Sequence, residues 1–271
     1  MLQCNLLQWR KFPYGGLHMK KKMNNYVFYA LLVIFIGVFA FSAYKLGSYW
    51  AEKVRSDKMM EGASSFVDVN NDSAKDDETQ KEDGTGDPEQ IEVDFEALAK
   101  LNDDIIAWIY CPNTKINYPI VQGRDNDYYL YRLLDGSWNA NGTIFLDFEN
   151  EDDFSDGNSL IYGHNMKSGG MFHAVIEYKN QSFYDEHPYM YIITPEQKYR
   201  LDLFAGCVVP SIGDIYDFNP SESVIKSCIA NSTFKSPISY PTHNIVTLST
   251  CTYEYNDARY VVLGELVPLD D

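Results

Sequence analysis

The chain lacks the cysteine patterns that make a metal or disulfide scaffold. Its 271 residues hold five cysteines, at positions 4, 111, 207, 228 and 251, with no CxxC pair and no zinc-like Cys/His spacing. A small secreted scaffold is denser in cysteine, so each thiol is read on its own. Positive charge is also short: 22 Lys and Arg against 39 Asp and Glu give a formal net charge of −17. That deficit excludes a nucleic-acid binder, which needs a basic surface to displace counterions from phosphates. It also excludes electrostatic attachment of the folded part to an anionic bilayer. There is no internal repeat. The acidic run at 149–156 (ENEDDFSD) lacks EF-hand spacing and reads as a solvated loop, not a calcium site.

Charge is absent altogether from one stretch. Residues 26–44, YVFYALLVIFIGVFAFSAY, run nineteen residues without a charged side chain, about 28 Å as a helix and close to the thickness of a bilayer core. The run is long for a signal peptide and no clean small-x-small cleavage site follows Ser42, so it is expected to be an uncleaved transmembrane anchor. Lys20, Lys21 and Lys22 precede it, and everything after residue 60 is acidic. That pattern places the N-terminal segment 1–25 in the cytoplasm and the main domain outside, a single-pass protein of the cell membrane, although Lys45, Lys53, Arg55 and Lys58 weaken the asymmetry. Residues 1–18 differ in character, and Met19 or Met23 would each open a more ordinary anchor, which leaves an upstream start codon as an alternative origin for them. Residues 45–92 are expected to be an acidic extracellular linker. Within 61–92 eleven acids face two lysines, with Gly84, Gly86 and Pro88 and few large apolar residues, a composition that self-repels and buries little.

Residues 93–271 read as the folded domain. Asp94 is placed to cap a helix with apolar residues at Phe95, Leu98, Leu101 and Ile105. Short strand-like runs follow at 116–121, 143–148, 159–162, 189–194, 198–209, 244–251 and 259–266. In the run from 198, Tyr199, Leu201, Leu203, Ala205, Cys207 and Val209 are expected on one face. A second helix is expected over 220–230, with Asn219 as its cap, Pro220 first and Glu222 third. Many short strands with few helices read as a mainly β fold, a closed or nearly closed barrel with helical additions.

Chemistry concentrates at three positions. Thr247-Leu248-Ser249-Thr250-Cys251 ends one strand and Arg259 opens the next. Paired as a hairpin, the two strands would set a guanidinium about 4.8 Å from the cysteine's strand, where it favours thiolate and stabilises an oxyanion. A thiol nucleophile needs a proton partner, usually histidine. His164 leaves the apolar run Leu160-Ile161-Tyr162 through Gly163 into the loop Ser168-Gly169-Gly170, held by a strand yet open to substrate. His187, before Pro188, reads as structural; His173 falls on a helix face, His243 in a turn, and His18 before the anchor. Cys207 and Cys228 read as small core residues on a strand and a helix, and Cys111 beside Trp108 reads as packed.

The segment TLSTCTYEYNDARYVV (247–262) resembles the sortase signature, TLxTC followed by arginine, and LIYGHNM (160–166) is similar to the sortase histidine segment. FEALAKLNDDIIAWIYCPNTKINYPIVQGRDNDYYL (95–130) resembles class B sortases in particular, as does a helix between the sixth and seventh barrel strands. The resemblance spans about residues 93–268. It implies an eight-stranded barrel with N-terminal helices and a triad of Cys251 as nucleophile, His164 as general acid/base and Arg259 at the oxyanion. It also implies a transpeptidase that cleaves the C-terminal sorting motif of surface proteins after threonine. The acyl group would then pass to an amine of peptidoglycan or of its lipid-linked precursor. Cofactors and metals are expected to be none, since class B members resemble one another in lacking the calcium site of class A. Two rivals remain in view. A papain-like peptidase needs a histidine after its cysteine, and none follows Cys251. A non-enzymatic binding module on a stalk would share anchor, linker and β-domain but gives no reason for TLSTC with Arg259.

Overall fold

The computed structural model describes residues 25–69 and 91–269. Residues 1–24, 70–90 and 270–271 lie outside the described residues, and with them all but Asn25 of the expected cytoplasmic segment and the 70–90 stretch of the expected linker. The first element, α1 (Asn25–Ser64), runs unbroken through the uncharged stretch. Its portion up to Tyr49 forms a unit of its own, apolar on every side, with Val33, Phe35 and Phe39 exposed by 68%, 78% and 75%. Among the described residues it is the one helix long and apolar enough to cross a membrane, with a mean hydropathy of 2.3 over its most apolar window.

From Trp50 the same helix belongs to the unit that contains the barrel. Ser56, Met60 and Ala63 recur at helical spacing and are buried. Arg55 donates to Asp135 at 2.9 Å, and Asn139 Nδ2 donates to the Glu52 carbonyl at 2.9 Å. Next comes an antiparallel pair, β1 (Val67–Val69) with β2 (Ile91–Val93). The linker expected over 45–92 is therefore corrected for 45–69, which is helix, turn and strand. The acids cluster at 72–89, whereas Ser56, Met60 and Ala63 supply a short stripe that is buried.

Helix α2 (Phe95–Leu101) starts where expected, with Asp94 Oδ1 accepting from the Ala97 N–H at 2.8 Å. It stops short of Ile105, which opens β3 (Ile105–Tyr110) instead. Asn102 turns the chain there, its side-chain oxygen accepting from the Asp104 N–H at 2.9 Å, and the β-branched and aromatic run IIAWIY favours a strand. The domain continues through β4 (Asn117–Gln122), β5 (Phe145–Leu146), β6 (Asn158–Tyr162), α3 (His173–Glu177), α4 (Gln181–Glu186), β7 (Tyr189–Ile193), β8 (Lys198–Pro210), α5 (Glu222–Ala230), β9 (Ile245–Cys251) and β10 (Ala258–Pro268). Eight of these strands close a barrel in the order β10-β8-β7-β3-β4-β5-β6-β9. The pairs β4–β5 and β6–β9 are parallel and the rest antiparallel. Helix α5 falls between the sixth and seventh barrel strands. Its cap is Ser221 and not Asn219, whose side chain turns toward Gly157.

One departure from the expected strand pattern matters for the site. Pairing of β8 with β10 shifts between Leu263 and Gly264, opposite Ala205 and Leu203, so Phe204 is an extra, bulged residue. A one-residue insertion exchanges the two faces of a strand. Leu201 and Leu203 therefore pack in the barrel core with Trp108, Val246, Leu248 and Val262. Phe204, Ala205 and Cys207 instead join an outer cluster with Val261, Leu263, Ile225 and Cys228, covered by α5. The single face expected for 199–209 is thus two half-faces, and the strands β8–β10 are buried on both sides where α5 lies.

If residues 50–64 are part of the fold, a charge at the fully buried Ala63 has no partner. Ala63→Asp is expected to destabilise the protein by about 2–4 kcal/mol, read as a lower denaturation midpoint in urea. A linker residue would tolerate the change.

Candidate active site

Strand register alone brings the three singled-out residues together. Cys251 and Arg259 are direct partners across the antiparallel pair β9–β10, which places their side chains on the same face. On the other side of β9, the parallel pair β6–β9 sets Tyr162 against Ser249. The match is carried two residues further by the Gly163 N–H donating to the Ser249 carbonyl at 3.1 Å and by Thr250 Oγ1 donating to the Gly163 carbonyl at 2.7 Å. His164 thus arrives beside Cys251 from one neighbouring strand, and Arg259 from the other. All three line one cavity of about 200 Å³ together with Asn126, Leu130, Tyr216 and Ser249. A larger hollow, about 860 Å³, opens at the other end of the barrel beside Leu266 and Pro268 and touches none of the three.

The polar residues of TLSTC have identifiable work. Thr247 Oγ1 donates to Asn158 Oδ1 at 2.8 Å, and Asn158 Nδ2 donates to the Ile215 and Asp217 carbonyls at 3.1 and 2.9 Å. That chain ties β9 through β6 to the connection between β8 and α5. Ser249 Oγ lies 3.2 Å from the hydroxyl of Tyr216, a residue of the same connection and a wall of the cavity. Burial pushes the Tyr216 phenol up, so it stays neutral there. Gly163 is required by close approach: a Cβ would lie 2.7 Å from the Phe172 ring.

Around His164, the ring Nε2 is 2.7 Å from the Leu130 carbonyl. A carbonyl only accepts, so this nitrogen carries a hydrogen and proton exchange falls to Nδ1. The Thr252 N–H, just past Cys251, donates to the Ala258 carbonyl at 3.2 Å. The Arg259 guanidinium donates from Nη1 to the same carbonyl at 3.1 Å. Of the four cysteines among the described residues, Cys251 is the one that is not buried. Cys111 lies fully inside, and burial pushes its thiol up to about 11, far from the thiolate a nucleophile needs.

Of the other histidines among the described residues, none lines this cavity, and His18 lies outside the described residues. His187 sits at the end of α4 with its ring 4.6 Å from Phe183, and burial lowers its pKa. His173 opens α3, and His243 lies 3.7 Å from Glu265 on the surface.

Comparison with known proteins gives the family. A family profile described as sortase domain matches residues 109–267. Sortase B of Listeria monocytogenes is 30% identical over 256 residues, covering 91% of this chain and 99% of that protein. The chain belongs to the sortase family. Sortase B of Staphylococcus aureus is 31% identical over 195 residues, 66% of this chain and 77% of that protein. Among solved structures, sortase B from Bacillus anthracis superposes with a TM-score of 0.65 at 30% identity, covering 81% of this chain and all of that one. A Staphylococcus aureus sortase B–substrate complex gives 0.59 at 30% identity over 65% of this chain and 85% of that one. Class B is the branch these relatives share, and this sortase is a cysteine transpeptidase of that class that anchors surface proteins.

The sortase fold also shows residues that the sequence reading passed over. Asn165, adjacent to His164, donates from Nδ2 to the Cys251 carbonyl at 3.0 Å and accepts at Oδ1 from His173 Nδ1 at 2.9 Å. One side chain therefore ties the end of β9 to the loop that carries His164. Its only sequence signal was its place in the GHN run. On the other flank, Lys179 Nζ donates to Thr252 Oγ1 at 2.7 Å and pairs with Glu254, whose carboxyl the lysine and Thr252 hold down to about 2. This pair pins the hairpin after Cys251, and nothing in the spacing of 179 and 254 announces it.

Because Asn165 bonds to the Cys251 carbonyl and the His173 ring and to no reacting atom, Asn165→Ala is expected to loosen the geometry while keeping the thiol. Transpeptidation kcat should fall about 10- to 100-fold with KM changed far less, while alkylation of Cys251 by iodoacetamide proceeds. An unchanged kcat would remove Asn165 from a positioning role.

Proposed function

We propose that Cys251 is the nucleophile of this sortase, His164 its general acid/base and Arg259 the group that stabilises the oxyanion. The Cys251 thiolate attacks the carbonyl carbon of the threonine in a C-terminal sorting motif. The oxyanion is held by the guanidinium, and the leaving amine takes a proton from His164 as the peptide bond breaks. The thioacyl enzyme then meets an amine of peptidoglycan or its lipid-linked precursor. His164 accepts that amine's proton, and the new amide forms as the thiolate leaves. The observation that carries this reading is the register: Cys251 on β9 is flanked directly by Arg259 on β10 and, through the extended β6 pairing, by His164. A solved relative is a sortase B–substrate complex, which supports a peptide ligand for the same cavity. A binding module would have no use for an unburied thiol beside an arginine.

The test is a graded series on the full chain, with a Pro-x-Thr peptide, an acceptor amine and products identified by mass spectrometry. Cys251→Ala should abolish turnover, and His164→Ala should be nearly as severe. Arg259→Lys should lose about 100- to 1,000-fold, because a point charge does not replace a planar two-donor group. Cleavage elsewhere than after threonine, or no thioacyl adduct on Cys251, would reject the assignment.

We further propose that residues 26–44 span the cell membrane with the catalytic domain outside. The lysines at 20–22, the uncharged run and the acidic domain support this orientation. Protease added to intact cells with a permeabilised wall should remove the domain from residue 93 onward. Its protection would reverse the topology.

A further inference from the structure

Local sequence pattern places Cys207 on a strand and Cys228 on a helix, each as a packing residue. The bulge at Phe204 turns Cys207 out of the barrel core and under α5, and Cys228 faces it from that helix beside Ile225. Their sulfurs lie 2.7 Å apart, both residues are buried, at 4% and 6% exposure, and both are thiols in this structure. Two sulfurs held this near lie within a short side-chain movement of bonding distance. No role in catalysis falls to either, since both lie outside the Cys251 cavity.

We propose that Cys207 and Cys228 form a structural disulfide that clamps α5 onto β8. The location gives the bond a purpose. Cys207 pairs across β8–β10 with Val261, and its neighbour Val209 pairs with Arg259. The 21-residue separation between the cysteines contains Ser211 and Tyr216, which line the catalytic cavity. The bond would close that loop covalently, fixing one wall of the cavity to the strand behind Arg259. It would also remove two thiols that could otherwise exchange with Cys251.

The reaction is a two-electron thiol–disulfide exchange with a small-molecule or protein disulfide as oxidant. The Cys228 thiolate attacks one sulfur of the oxidant, giving a mixed disulfide and releasing one thiolate. The Cys207 thiolate then attacks the Cys228 sulfur and expels the second. The two protons lost by the cysteines go to the released thiols, and the oxidant's disulfide is what is reduced. The hydrogen bond from the Cys207 thiol lowers the pKa of Cys228, consistent with Cys228 attacking first.

The test uses the purified full chain incubated with oxidised glutathione, denatured in iodoacetamide without reductant, and digested with trypsin. Peptides 201–226 and 227–235 each contain one cysteine of the pair. They should be recovered covalently linked, two hydrogens lighter than their sum. Recovery of both peptides alkylated, or each carrying glutathione, would overturn the proposal. As a second measurement, dithiothreitol should lower the Tm of the oxidised wild type by about 5–10 °C. It should leave the Tm of the Cys207→Ala/Cys228→Ala variant unmoved, and that variant should retain transpeptidation. A linked wild type whose Tm ignores reductant would show that the bond clamps nothing.

Discussion

The site depends on β9 being held in fixed register between β6 and β10. Closure of the barrel leaves this strand no free edge, and a slip of one residue on either side would turn Cys251 to the opposite face. Two kinds of interaction prevent the slip. Val246 and Leu248 are buried in the barrel core on one face, while Ile245 packs in the outer cluster on the other. The hydroxyls of Thr247 and Thr250 bond to β6 and its extension, so a shift would leave buried polar groups unpaired. The motif TLSTC is in this sense a register lock with a thiol at its end.

The bulge in β8 is the second constraint. It gives β8 an inner half packed in the barrel and an outer half covered by α5, and so provides an apolar outer surface for that helix to cover. Covering it brings the connection before α5, with Tyr216, over the cavity. Asn158 completes the attachment, since its amide spans the carbonyls of residues 215 and 217 and the Thr247 hydroxyl. A wall contributed by a connecting segment is thereby fixed by strand hydrogen bonds.

Legibility in the sequence followed the range of the interaction. Strands β4 and β6 to β10 were readable to within a residue or two because their β-branched and aromatic runs are locally self-consistent. Cys251, His164 and Arg259 stood at strand ends next to turn residues, where local pattern and chemistry coincide. Three features were not readable. Ile105 fits a helical period after Leu101, and only the side chain of Asn102 ends the helix before it. The bulge at Phe204 has no local sign, since it is defined by β10 across the pair, and the face of Cys207 went with it. The docking of 50–64 was hidden because its stripe of Ser56, Met60 and Ala63 is short and small, beside an acidic stretch whose composition dominates the reading.

The thiols show why residue type alone could not assign the chemistry. Cys111 lies in the core against the Tyr178 hydroxyl at 3.7 Å, where burial keeps it protonated. Cys207 and Cys228 face each other beneath a helix, buried at 4% and 6% exposure and away from any external carbonyl. Cys251 is chemically the same group, but its strand ends at the rim, its cross-strand neighbour is an arginine, and its parallel neighbour leads to a histidine. What sets Cys251 apart is its place in the barrel, where β6 and β9 end and β10 begins, and the hydroxyls of Thr247 and Thr250 hold that register.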